Sequence, residues 1–206
     1  MRAVAGGGFF LFVVTIMQRL DVLNECLETM GQAPLSSLDE RHPLKTPALA
    51  RLAAKSKAIQ SRGWWFNAEV VTLYPDTTGK VILPGDCLTF RSDTHRYAKR
   101  GAVLYDMDGG TDIFTQPVKG MMIREIDFES VEEQMAEYIA AASIKEFQLA
   151  FDGDSDKQSK LKARVDEALA LCNAEHTRQM KENAIASNYT LSRIKGFTRQ
   201  LNFYPR

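Results

Sequence analysis

Acid pairs such as Glu125 and Asp127 are where the sequence comes nearest to chemistry. Two residues apart on an extended strand, they share one face, and side-by-side carboxylates are what glycoside hydrolysis uses. A chain with 26 Asp and Glu offers such pairs by chance, so the spacing alone distinguishes little. His42, His95 and His176 are scattered, with no pair at the helical spacing of a metal site. Cys26, Cys87 and Cys172 are odd in number, far apart and without Cys-x-x-Cys, the usage of reduced, buried thiols in a cytoplasmic setting. Asp152, Asp154 and Asp156 alternate like the start of a calcium loop, but the glycine is misplaced and no Glu stands at the twelfth position. Acids ahead of a helix also complement its dipole. Gly-x-Ser-x-Gly, Walker, Gly-x-Gly-x-x-Gly and His-Glu-x-x-His motifs are all missing. No catalytic, cofactor-binding or metal-ligating residue is assigned, and no cofactor is expected.

Composition bounds the remaining classes. At 206 residues the chain is long enough for one or two small domains and a self-standing core. Hydrophobic residues make up 45% and charged ones 25%, with a formal net charge of zero, so neither a nucleic-acid coat nor a disordered acidic chain fits. Charge is nevertheless polarised. Residues 125–156 hold ten acids and one lysine, whereas 183–206 hold Arg193, Lys195, Arg199 and Arg206 and no acid. Such a chain often meets complementary surfaces on partners or on its own copies; solvated faces are the plain alternative.

The elements arrange themselves around Ile59-Gln60-Ser61-Arg62-Gly63-Trp64-Trp65-Phe66-Asn67. Leu20, Leu23, Leu27 and Met30 fall at helical spacing, and Gly31 and Pro34 end that pattern. Thr46-Pro47 opens a second helix with Leu49, Leu52, Ala53, Ser56 and Ile59 inward, delivering the chain to Gly63. The spacing predicts a strand from Trp64, with Trp64 and Phe66 on one face and Trp65 on the other. Gly63, Trp64, Trp65 and Phe66 are thus expected as a structural core seam between a helical part and a β part. Five or six short antiparallel strands follow to Ile126, with a hairpin turn at Asp108-Gly109-Gly110.

Ser130-Val131-Glu132-Glu133 has the form of a capping box and starts a third helix. Its apolar residues form two opposed stripes. Val131, Met135, Tyr138, Ala142 and Leu149 make one; Ala140, Ile144, Phe147 and Phe151 make the other. One side packs on helices; the second needs the β part or a neighbouring subunit. A fourth helix after Asp152-Gly153-Asp154 turns Leu161, Val165, Ala168, Leu169, Cys172 and His176 inward.

Both ends differ from this body. Residues 1–16 carry an eight-residue apolar run, too short to span a bilayer as a helix, and read as an atypical extension: an added strand, or an upstream start before Met17. At the other end, Tyr189, Leu191, Arg193, Lys195, Phe197, Arg199, Leu201 and Phe203 occupy alternate positions of an extended arm. Apolar anchors mixed with cations fit a segment that docks on another chain; a final strand of the chain's own β part is the alternative. The expected fold is α+β: a bundle of about four helices (17–63 and 127–185), an inserted antiparallel β domain (64–126), and the extended C-terminal arm (186–206).

Most of residues 17–182 resemble the tail tubular protein A family, the head-to-tail adaptors of short-tailed bacteriophages. The residues that carry the likeness are the aromatic stretch from Ile59 to Asn67, the Gly31 to Pro34 loop and Leu73-Tyr74-Pro75-Asp76. Val81-Ile82-Leu83-Pro84-Gly85-Asp86, and Tyr97-Ala98-Lys99-Arg100-Gly101 leading to Leu104-Tyr105-Asp106, complete the set. Trp65 stands where the family usually has a smaller residue. The resemblance implies a homo-oligomeric ring, dodecameric in the family, between the portal protein and the tail nozzle. Genomic DNA passes its lumen without specific binding, and no membrane is involved. Under it, Ala140, Ile144, Phe147 and Phe151 become a subunit interface, the acids of 125–156 line a lumen that repels phosphate, and the arm clasps the portal or a neighbour. Two rivals stand beside this: a tail-associated polysaccharide hydrolase, and a module binding DNA through Arg96, Lys99, Arg100 and the arm.

Overall fold

The computed structural model describes residues 17–187. Four helices carry most of the chain: α1 (Arg19–Thr29), α2 (Lys45–Gln60), α3 (Glu133–Phe151) and α4 (Ser155–Ser187). Between α2 and α3 lie five strands, β1 (Ala68–Leu73), β2 (Cys87–Arg91), β3 (Tyr97–Arg100), β4 (Val103–Asp106) and β5 (Val118–Arg124). The fold is α+β.

α3 is the axis of the helical part, packed on α4, α2 and α1. Val131, Met135 and Tyr138 of one stripe are buried, and so are Ala140, Ile144 and Phe147 of the other. The reason is that α1 and α2 together with α4 enclose the helix from its own chain, so neither stripe waits for a neighbour over most of its length. Only the last turn emerges, with Leu149 60% and Phe151 45% exposed. α1 ends where the amides of Gly31 and Gln32 donate to the carbonyls of Glu28 and Leu27, both at 2.9 Å, the Schellman closure of a helix end. Arg164 of α4 bonds Glu25 of α1 and Glu137 of α3, tying three helices at a half-buried point.

Local starts differ from the sequence expectations in three places. α2 begins at Lys45, which puts Pro47 at its third position, still among the amides that have no intrahelical acceptor. The capping box at Ser130 does not form: Phe128–Ser130 make a 3-10 turn, and α3 starts after Glu132 without a side-chain cap. On α2, Ala53 points outward, and the buried polar residue is Gln60, at 0% exposure.

The strands form two small sheets. β5 lies between β1 and β2, both antiparallel to it, and β3 pairs with β4. β3 and β4 form a tight hairpin. Arg100 pairs with Val103 across Gly101-Ala102, and Gly101 takes a φ of +63° that a side chain would resist. Asp108-Gly109-Gly110 turns the chain only into a single bridge between Asp106 and Thr111. Val81, Leu83, Cys87, Phe90, Leu104, Val118 and Met122 form a separate core for this region.

Candidate functional site

The aromatic stretch is a turn and not a strand. Both the Asn67 and Ala68 amides donate back to the Trp64 carbonyl, at 3.3 and 3.2 Å, so β1 begins only at Ala68. Trp64 is 4% exposed among helical core residues, and its indole N–H donates to the Ile59 carbonyl at 2.8 Å. Trp65 is partly buried and donates to Glu132 at 2.9 Å; its ring meets Trp64, Phe66 and His176. Gly63 adopts φ +81°, and a Cβ there would fall 2.8 Å from the Ile123 side chain of β5. A side chain at that position would push the helical and β parts apart.

Two buried amides close this seam. The Gln60 side chain accepts from the Ile126 amide and donates to the Ile126 carbonyl, both at 2.8 Å, and also donates to Ser56 Oγ at 2.9 Å. Asn67 accepts from the Trp64 amide at 2.8 Å and donates to the carbonyls of Gln60 (3.1 Å) and Arg124 (2.8 Å). Every polar atom of both amides is satisfied, which is what burial demands. Arg124, flanked by Glu69 and Asp86, is held further up its basic range by hydrogen bonds to those carboxylates. Sequence reasoning missed Gln60 and Asn67 because an amide at a helix end or in a loop carries no periodicity.

Elsewhere the described surface offers open grooves. Glu125 and Asp127 lie beyond the end of β5, on the connection to α3, so they are not neighbours on a strand face. With Asp86 they rim an open groove of about 570 Å³, floored by Leu49, Leu52 and Ile126. Arg19 forms an ion pair with Asp127 and Arg124 one with Asp86. The thiols are free and buried: burial pushes Cys26 up to about 12, Cys172 up to about 11, and Cys87 above its usual value. Such thiols pack; they do not attack. Of the cations proposed for DNA, Arg100 lies 3.4 Å over the Tyr105 ring, Lys99 donates to the Cys87 carbonyl, and Arg96 sits 4.0 Å from Asp108.

The proposed interface residues fare differently from one another. Ala140, Ile144 and Phe147 are at most 1% exposed, inside the subunit, and are corrected from interface to core. Phe151 stays at the surface, its ring 4.7 Å from that of Phe147 and 5.2 Å below the Arg51 guanidinium. The arm residues Tyr189 to Phe203 lie outside the described residues. The acids of 125–156 are partly engaged, with Glu137, Glu146 and Asp152 ion-paired to Arg164, Lys55 and Lys157. The β part also leaves apolar surface open: Val70 and Met121, cross-strand partners, are 65% and 41% exposed on one side of the three-stranded sheet.

Residues 20–182 match the family model described as tail tubular protein. That span takes in all four helices nearly end to end and every strand. The chain belongs to the tail tubular protein family. A relative, Tail tubular protein A of Klebsiella phage KP34, is 24% identical over 167 residues, covering 80% of this chain and 90% of its own length. Membership makes the chain a structural component of a phage tail, and hence of the virion. Among the described residues no helix is long and apolar enough to cross a membrane.

Proposed function

We propose that the chain is a head-to-tail adaptor, whose identical copies close into a ring between the portal protein and the tail nozzle and let genomic DNA through. The observation that carries this reading is that one tail tubular protein unit runs through the whole described fold, from residue 20 to 182. The surface supports it. Val70, Met121 and Tyr74 leave apolar area on the β part that an isolated subunit does not cover. Glu129, Glu132 and Glu133, exposed at the start of α3 and without an ion-pair cation among the described residues, suit a lumen that repels phosphate. The arm, with Tyr189, Leu191, Phe197, Leu201 and Phe203 as anchors, is the docking element. Copy number follows from interface angles, and twelve is the expectation carried by family resemblance.

The test is the native mass and negative-stain image of the purified chain, alone and mixed with its portal. Closed rings, on their own or on the portal, are expected. A subunit that stays monomeric in both samples at micromolar concentration overturns the proposal.

A further inference from the structure

α2 and α4 both pack on α3, and between them lies an open groove of about 470 Å³. Its floor is apolar: Tyr138, Ala142 and Leu149 of α3, Ile59 of α2 and Val165 of α4. From Tyr138 to Leu149 it follows α3 for about 16 Å at helical rise. The groove opens toward the end of α3, where Leu149 is 60% exposed against 6% for Tyr138. Its rim is basic. Lys55 is bound to Glu146, whereas Arg62 and Lys145 meet no acid among the described residues.

The back of α4 is the complement. Leu161, Val165, Ala168 and Cys172 turn toward the core, so the helical period carries Ala163, Glu167, Ala170 and Ala174 to the opposite side, where all four are exposed. Ala163 to Ala174 again covers about 16 Å. Alanine keeps a second helix off by a single carbon, which admits axes about 8 Å apart, the near end of the usual range. Glu167 stands among these alanines with no ion-pair cation among the described residues, while Asp166 beside it is taken by Lys162. The two surfaces therefore agree in length and are opposite in free charge.

We propose that the groove between α2 and α4 receives the back of α4 from an adjacent copy of the chain, with Lys145 of one copy against Glu167 of the next. Leu149, left open by its own subunit, is covered by that contact. Groove and helix back are different surfaces of one subunit, so every copy offers both. The contact then repeats from copy to copy, a heterologous arrangement of the kind that closes rings. It rests on the multi-copy reading above.

The test uses full-length chains carrying Lys145→Glu, Glu167→Lys or both, and a fourth carrying Ala170→Trp as a steric block. Each is read by native mass, alone and with the portal. Lys145 is half-buried and the other two positions are exposed, so circular dichroism should match the unsubstituted chain. Each single reversal sets like charges face to face and should lower the ring fraction at least about fivefold, the double reversal restoring it to within about twofold. Ala170→Trp should abolish rings. Rings untouched by the single reversals and by Ala170→Trp overturn this contact, give the groove to some other occupant, and leave the ring reading standing. Loss in both single variants without recovery in the double one overturns the pairing of Lys145 with Glu167. An unsubstituted chain that stays monomeric in both samples overturns the ring and the contact together.

Discussion

The helical and β parts of this subunit are held together by different means. The helical part has one continuous core of nineteen buried apolar residues, centred on α3 and including Trp64. The β part has a core of seven, under two sheets of three and two strands. Of the ten large apolar side chains that stay exposed among the described residues, six are on the β part: Val70, Tyr74, Ile82, Met107, Ile113 and Met121. A small core with a sticky exterior is weakly stable alone and gains by being covered. The lesson is that the helices supply the subunit's own stability, while the β part leaves surface for an assembly to use.

The largest expected effect breaks the two halves apart. Phe147→Ala and Phe90→Ala each remove a buried ring, costing about 3–5 kcal/mol by comparison with similar core truncations. Against a total stability of roughly 5–15 kcal/mol, that is a large share. Phe147→Ala should lower the midpoint of the whole subunit, because α3 touches every other helix. Phe90→Ala should instead produce an early transition seen by circular dichroism near the strands but silent in tryptophan fluorescence, since both tryptophans sit on the helical seam. Coincident transitions by both probes in the Phe90 variant would show the halves to be one cooperative unit.

A smaller effect is expected at the seam itself. Gln60→Leu keeps the volume roughly constant but strands the Ile126 amide and carbonyl. Leaving buried polar groups unpaired costs roughly 1–3 kcal/mol each, so a loss of about 3 kcal/mol is reasonable. The distinguishing readout is hydrogen exchange. Amides of Asn67, Arg124 and Ile126 should lose protection before those at Ile139 or Ile144. Protection lost evenly along α3 would mean that Gln60 serves the helical core and not its attachment to the sheet.

How far the sequence carried this fold depends on the kind of signal each element sends. Helices announce themselves by stripes, and α1, α2, α3 and α4 all stand where Leu23, Leu52, Met135 and Cys172 require. The two stripes of α3 were visible too, but not what covers each: periodicity says that a face is buried, never by which chain. That is why Ala140, Ile144 and Phe147 read equally well as interface and as core. The aromatic turn misled for a related reason. Three aromatics in a row have the composition of a strand, whereas the geometry is set by the Asn67 side chain capping Trp64. The groove at Asp86, Glu125 and Asp127 was illegible, since its walls come from α1, α2 and the end of β5, and only tertiary contact brings them together.

The smallest expected effect sharpens the comparison through pH. Two turns of the β part are fastened by carboxylates held below the usual range: Asp76 first by the Thr78 hydroxyl and then the Lys80 amide, Asp106 first by the Gly109 amide. A folded pKa below the unfolded one means that the charged form is favoured by folding. That stability is whole above the unfolded value of about 3.9 and drains away as pH falls through the folded values. In the helical part Asp152 is depressed likewise, first by Lys157, but it fastens only the turn from α3 to α4, outside the core. Asp76 is exposed and Asp106 only half-buried, so the effect is a matter of order and not of size. As pH falls below about 4, amides of Leu104 and Val118 should lose protection ahead of Ile139, and Asp106→Asn should flatten that dependence at Leu104 while leaving Ile139 unmoved. An Asn oxygen can still accept the Gly109 amide but has no proton to take up, so the variant separates the turn's hydrogen bond from its titration. Protection falling in step across both regions, with or without the substitution, would place the acid sensitivity in the shared seam around Arg124 instead of in the turns.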